Sequence, residues 1–257
     1  MTRAIKLIGI DNLRDFGGYE TACGRGLKRG LLYRSAHHHG ATDEDLEALA
    51  ALNLAVIVDL RRREERTSQP SRRHLGFAGQ VIENDIGDDD GGWEAMLRGR
   101  EPTAALFHQE SLAWYARCAF EPRHVDLYAR YFAALAEADG PVLIHCAAGK
   151  DRTGLLAALT HHVAGVGQDD MLADYLMTND LDFHRLRAPS IAAIIARHSG
   201  HAPSDEAVRA AMSVQAGYLE TALAAIRERY GSLDAYLEQA LGVDPGRSAA
   251  VRARLLG

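Results

Sequence analysis

PVLIHCAAGKDRTG, residues 141–154, decides the fold. Pro141 to His145 is a short apolar run that ends at a cysteine, and a helical pattern begins at Arg152 and continues to about Val163, where Gly165 stops it. LAVIVDL, residues 54–60, is a second such run, nearly continuous and rich in β-branched residues. Runs of this kind fit strands of a parallel sheet buried on both faces. Ile5–Ile10 and Leu31–Arg34 read as early strands and Val81–Ile86 as a weaker one. Thr42 offers an N-cap for a helix with apolar Leu46, Leu49, Ala50 and Leu52, and Val125–Ala138 reads as a further helix. Strands and helices thus alternate to about residue 165. The rest is helical by period and punctuation: Ser204 or Asp205 can cap one helix, Tyr218, Leu219, Leu223 and Ile226 share one face of another, and Ser232 starts a third.

The expected architecture is an α/β fold, a central mostly parallel sheet flanked by helices, with a helical part over 166–257. No repeat or linker divides residues 1–257, so one domain is expected. Residues 88–122 interrupt the alternation, beginning with DDDGG and holding both tryptophans, Trp93 and Trp114. A long insertion with this many apolar residues predicts one or two short helices that cover something, as a lid, or else a dimer contact.

Composition removes several classes. With 47% hydrophobic and 25% charged residues over 257 positions, the chain is neither disordered nor collagenous. The longest apolar runs fall far short of the roughly 20 residues that a bilayer requires, so no stable membrane insertion is expected. MTRAIKLIGID has no apolar core or small-residue cleavage site, which points to the cytoplasm and leaves export without a leader open. A formal charge of −6 argues against nucleic acid as a general partner. Against that background, residues 61–73 carry Arg61, Arg62, Arg63, Arg66, Arg72 and Arg73 with only Glu64 and Glu65. Cys23, Cys118 and Cys146 are odd in number and widely spaced, which suggests neither a disulfide framework nor a zinc site but a reducing compartment. The oligomeric state leaves no mark in the sequence.

The chemistry is concentrated at residues 145–154. A loop between a strand end and a helix start can turn successive N–H groups into one concavity, and the helix adds unpaired donors and the positive end of its dipole. Such a site fits a phosphate dianion held by the amides of Ala147, Ala148, Gly149, Lys150, Asp151 and Arg152. Gly149 permits positive φ or close approach of the backbone, and the planar Arg152 can bind two phosphate oxygens. The same field stabilises a thiolate at Cys146 beneath the phosphorus. Thr153 could donate its hydroxyl to that sulfur, and His145 is expected to orient the cysteine. A nucleotide-binding P-loop is excluded: Ile144 stands where the first glycine belongs, and Asp151 where Ser or Thr must follow the lysine.

Cys146-x5-Arg152-Thr153 resembles the phosphate loop of the cysteine-dependent protein tyrosine phosphatases, and HCAAGKDRTG is similar to the bacterial and fungal tyrosine/serine phosphatase branch. NLRDFGGY (12–19), LLYRSA (31–36), VIVDLRRREE (56–65) and YLETALAAIRERYGSLDAYL (218–237) resemble further elements of that branch. The insertion has no counterpart that aligns. The resemblance implies attack by Cys146 on phosphorus and hydrolysis of a cysteinyl phosphate, without metal or other cofactor. It makes Asp151 the first choice for general acid, although a mobile loop could instead supply Asp85, Asp88 or Asp59. Arg14 and Asp15 would contact or brace the loop.

Asp59 ends a strand, so Asp59 and Arg61 should lie at the same sheet edge as Cys146, with the basic segment facing the site; a structural Asp59 is the alternative. Lys150 is either a second cation for an additional phosphate or simply solvated. In the former case substrates would extend from phosphotyrosine to phosphoserine, phosphothreonine and phosphoinositides. His37, His38 and His39 read as a polar loop, and His161 and His162 as cations near a helix C-terminus. An inactive phosphate- or phosphoinositide-binding module and a cysteine-dependent arsenate reductase are the competing functions; the latter needs further redox cysteines beside the first.

Overall fold

Val56–Asp59 and Val142–His145 pair in parallel in the computed structural model, with Asp59 opposite His145. Residues 3–87, 92–180 and 183–257 are described. The strands are β1 (Arg14–Asp15), β2 (Leu32–Ser35), β3 (Val56–Asp59), β4 (Gln80–Ile82) and β5 (Val142–His145). They form one sheet in the order β1-β2-β5-β3-β4, in which only β1 runs antiparallel to its neighbour. Central β5 pairs Ser35 of β2 and Asp59 of β3 with the same residue, His145, so all three strands end level. The loop that follows opens from the middle of that edge.

Helices α1 (Asp43–Ala51), α2 (Arg63–Ser68), α3 (Gly92–Leu97), α4 (Ala104–Tyr115), α5 (Pro122–Glu137) and α6 (Asp151–Ala164) alternate with the strands or connect them. They are followed by α7 (Gln168–Leu176), α8 (Phe183–Ser199), α9 (Asp205–Met212), α10 (Ala216–Tyr230), α11 (Leu233–Gln239) and α12 (Pro245–Leu255). No helix among the described residues is long and apolar enough to cross a membrane.

Successive strand residues point to opposite faces, and the packing follows that rule. Val56, Val58, Val142 and Ile144 join Leu127, Leu155 and Leu219 in the larger core, whereas Ile57 and Leu143 join Leu13, Ala41 and Leu49 on the other face. Thr42 and Asp45 form a reciprocal capping box on α1. Gly165 ends α6 with φ 83°, and Ser204 and Ser232 cap α9 and α11.

Two expectations need correction. Residues 5–10 do not form a strand: the amides of Ile8 and Gly9 donate to the Asp45 carboxylate (2.8 and 2.7 Å), so they cannot enter a ladder. The strand expected at 81–86 ends at Ile82, because Asn84 turns away to donate to Arg123 O and Asp126 Oδ2 (3.0 and 2.8 Å). The insertion forms helices α3 and α4, as expected; its residues 88–91 lie outside the described residues. Leu97, Leu106 and Phe107 pack with Ile195, Val208 and Met212 of α8 and α9 into a separate cluster.

Candidate active site

Cys146 lies directly after β5 and is 2% exposed. The loop from Ala147 to Lys150 is held by its carbonyls. His37 N donates to Ala147 O (3.2 Å), Asn12 Nδ2 to Ala148 O and Gly149 O (3.1 and 3.0 Å), and Arg34 Nη2 to Gly149 O and Lys150 O (3.0 and 3.3 Å). The amides of Ala147 through Thr153 make no hydrogen bond to an acceptor among the described residues. Gly149 has φ 64°, and a Cβ there would lie 2.3 Å from Ser35 O, which explains why this position takes glycine.

Beneath the loop, Arg34 Nη1 pairs with Asp174 Oδ2 (2.6 Å), and Arg14 pairs with Asp174 and with Asn12. All three charged groups are buried. Burial, then the Arg34 charge, lowers Arg14 to about 10, so it stays protonated at neutral pH. Burial would raise Asp174, but the two arginines outweigh it and hold the carboxyl below the ordinary range. Two cations and one anion thus leave a positive charge under the loop. Arg14 braces the loop through Asn12 and Asp174, while Asp15 instead accepts from the amides of Gly17 and Gly30 (2.8 Å each).

Arg152 is 14% exposed and is gripped end-on by Glu65, with Nη1 2.6 Å from Oε2 and Nη2 2.8 Å from Oε1. Nη1 also donates to Leu60 O (3.2 Å). A guanidinium has five N–H groups, so these three bonds leave Nε–H and one Nη2–H, the pair that suits a bidentate oxyanion. Asp151, the first residue of α6, is 33% exposed; its Oδ1 accepts from Tyr115 Oη (2.9 Å), and its Oδ2 is 3.6 Å from Lys150 Nζ.

Lys150 is neither solvated nor open at the rim. It is 9% exposed and donates to Ala211 O and Ser213 O (2.7 and 3.3 Å), where the last carbonyls of α9 lack helical partners.

Asp59 and Arg61 reach the expected edge but turn inward. Arg61, fully buried, donates to both Asp59 oxygens, to Gln69 O (2.6 Å) and to Ser71 Oγ (2.8 Å). Burial raises Asp59, yet His145 and Arg61 together hold it well below the carboxylate range, which removes it from the general-acid candidates. Of the six arginines in the basic segment only Arg61 is buried; Arg66 pairs with Glu83 and Asp85, and the exposed Arg72 with Asp43. Asp85 is exposed and paired with Arg66, and Asp88 lies outside the described residues.

His145 is fully buried, stacks on His38 at 4.7 Å, and has Nε2 3.6 Å from Asp59 Oδ2. Burial lowers it to about 4, so the ring is neutral at neutral pH. His38 is buried rather than part of a polar loop, and its Nε2 meets Ser35 Oγ at 3.0 Å. The expected hydrogen bond from Thr153 to the sulfur is not formed: Thr153 Oγ1 is buried without a hydrogen-bond partner among the described residues. His161 is also buried and its pKa lowered by burial, with Nε2 2.8 Å from Phe16 O, whereas His162 pairs with Asp234 (2.9 Å). Among the described residues no cluster could hold a metal ion, and all three cysteines are free.

Asn12, Arg34, Glu65, Tyr115 and Asp174 belong to the site and were not among the expected site residues. Asn12, Arg34 and Glu65 lie inside the quoted elements NLRDFGGY, LLYRSA and VIVDLRRREE, and that was the available signal. Asp174 stands in an ordinary amphipathic helix and carries none.

Comparison with known proteins fits this geometry. The chain is 35% identical to a candidate tyrosine-protein phosphatase of Cupriavidus necator over 91% of its length and 83% of the relative's. It is 30% identical to the triple specificity protein phosphatase PtpB of Mycobacterium tuberculosis, covering 98% of this chain and 99% of that one. A tyrosine-protein phosphatase of Nostoc commune is 29% identical over 86% and 73%. The profile that describes the tyrosine phosphatase family matches residues 5–257, and the chain belongs to the tyrosine phosphatase family.

Proposed function

We propose that the protein is a cysteine-dependent protein-tyrosine phosphatase in which Cys146 is the nucleophile, Arg152 and the amides of Ala147–Arg152 hold the phosphoryl oxygens, and Asp151 is the general acid. The observation that carries this reading is the loop after β5, where every carbonyl from Ala147 to Lys150 is bonded from behind and, among the described residues, no amide from Ala147 to Thr153 finds an acceptor. Donors fixed in advance around a site of developing negative charge stabilise the transition state without reorganising. In the first step the Cys146 Sγ–P bond forms, the P–O ester bond breaks, and the Asp151 proton passes to the leaving oxygen. Water then attacks phosphorus, the S–P bond breaks, and the water proton returns to Asp151.

Neither competing function is favoured, since Cys146 and Arg152 are both present and the relatives are phosphatases by name. A reducing compartment such as the cytoplasm suits a thiolate nucleophile. Substrate breadth beyond phosphotyrosine, to phosphoserine, phosphothreonine and phosphoinositides, is supported by the likeness to a triple specificity phosphatase. Helices α3, α4, α8 and α9, with their own cluster and the Lys150 bonds to the end of α9, form the cap over the loop.

The deciding experiment is turnover of an aryl phosphate in EDTA by the wild type and Cys146→Ser. The substitution removes the thiolate and keeps the cradle, so turnover is expected to vanish while phosphate still binds. Activity within about tenfold of wild type would sink the mechanism, because covalent catalysis by a thiol far exceeds what a neutral hydroxyl supplies.

A further inference from the structure

We propose that Tyr115 is a positioning residue for the general acid: it holds Asp151 Oδ1 so that the proton delivered to the leaving group is carried on Oδ2. The inference rests on the reading of Asp151 as the acid.

Tyr115 is the last residue of α4, brought to the loop by the insertion, and its side chain is fully buried. Its hydroxyl donates to Asp151 Oδ1 (2.9 Å) and lies 2.7 Å from Tyr175 Oη. A phenol has one proton. Since Tyr115 gives its proton to Asp151, Tyr175 must donate to Tyr115, which fixes the direction of the whole chain from Tyr175 through Tyr115 to the carboxyl.

The rings cannot swing. Tyr115 stacks on Tyr218 at 5.8 Å and meets Trp114 edge-on at 4.9 Å. Tyr175 lies so close to α6 that a Cβ at Gly154 would be 2.8 Å from its ring. Burial, reinforced by Asp151 and Tyr175, pushes the Tyr115 phenol well above its ordinary range, so it remains a donor throughout the catalytic range.

Asp151 does not need this partner in order to be satisfied, because a carboxyl one-third exposed can be hydrated on both oxygens. What a buried donor adds is selection. With Oδ1 always accepting from Tyr115, a proton on the carboxyl resides on Oδ2, and the carboxyl plane is fixed about χ2. Proton transfer by a positioned acid depends on this geometry and matters most for a poor leaving group.

The test compares kcat/KM on phenyl phosphate, whose leaving group needs a proton, with that on 2,4-dinitrophenyl phosphate, whose leaving group does not. Asp151→Asn is expected to lose about 100-fold on the former and little on the latter. Tyr115→Phe removes one hydroxyl and is expected to lose about tenfold on phenyl phosphate, with a change under about twofold on the dinitrophenyl ester. In the Asp151→Asn background it should add nothing further. If Asp151→Asn shows no such split, the reading of Asp151 fails and the inference with it. If Asp151→Asn splits the substrates and Tyr115→Phe lowers both equally, or neither, Tyr115 is merely structural and the inference alone is overturned. Should Tyr115→Phe not fold, Tyr175→Phe carries the same test: the same split supports the chain of hydroxyls, and an equal loss overturns it.

Discussion

Glu65 spans the guanidinium of Arg152, with one carboxylate oxygen on each terminal nitrogen at 2.6 and 2.8 Å. Glu65 is itself positioned by α2, where the Arg62 amide donates to Oε2 (2.7 Å). The strand β3, the turn after it and the first turn of α2 thus set the plane in which Arg152 can meet a phosphate. Because the pair is made end-on, the side edge of the guanidinium stays available, and the carboxylate positions the arginine without competing for that edge.

Glu65→Gln tests this arrangement. Glutamine offers one acceptor and places an NH2 against the other guanidinium nitrogen, so the plane should rotate. The expected result is a fall of about tenfold in kcat/KM, since an arginine that binds in both ground and transition states affects both kinetic constants. Retention of full activity would show that Arg152 orients itself.

The same pair sets part of the acid limit of stability. Burial raises the Glu65 carboxyl, but Arg152 outweighs it and brings the group down to about 2 from an ordinary 4.5. A depressed carboxyl contributes stability that is complete above pH 4.5 and is lost as pH falls towards 2. The contribution is on the order of 3 kcal/mol. Urea midpoints measured between pH 2 and 5 should therefore fall less steeply for Glu65→Gln than for the wild type. Parallel slopes would remove the pair from the acid limb.

Local sequence carried the centre of the site and little of its surroundings. Strand β5, the loop and the start of α6 are one continuous segment, and an apolar run, a glycine and an arginine at fixed spacing are legible without tertiary knowledge. Lys150 was not legible, because a lysine beside a phosphate loop looks the same whether it faces solvent or a helix end 61 residues later. Arg61 misled for a related reason: a run of arginines reads as surface charge, yet Asp59 two residues earlier supplies the partner that lets one of them turn inward. Tyr115 reaches Asp151 across 36 residues, and Arg34 reaches Asp174 across 140. Pairings at that range are products of the fold, and no local pattern encodes them.

Gly149→Ala addresses the loop backbone. The residue sits at φ 64°, and a Cβ would press on Ser35 O and Ser35 C at 2.3 and 2.4 Å, both main-chain atoms that cannot yield. Strained left-handed backbone alone costs about 1–3 kcal/mol, and the clash adds to it. The loop must then pull away from β2, which takes its amides off the phosphate. Loss of at least tenfold in kcat is expected, together with a lower denaturation midpoint. An alanine variant with wild-type rate and stability would contradict the close packing of this loop on Ser35.

Lys150→Ala distinguishes two roles for the second cation of the loop. If Nζ serves a second substrate phosphate, its loss lowers kcat/KM for a soluble phosphoinositide and spares an aryl phosphate. In the structure, however, Nζ is spent on Ala211 O and Ser213 O, so a second phosphate could reach it only by breaking both bonds and freeing the end of α9. The expected outcome is therefore similar losses on the two substrates, within about threefold of each other, because one exposed charge contact is worth only about 1 kcal/mol even when it is made. Amide hydrogen exchange over residues 205–214 should accelerate in the variant, since the carbonyls at the end of α9 lose their donor. Both substrates must be monomeric, as a lipid surface would add attraction that has nothing to do with Lys150. A selective loss on the phosphoinositide with unchanged exchange in α9 would return Lys150 to the rim and make the observed contacts incidental to the reaction.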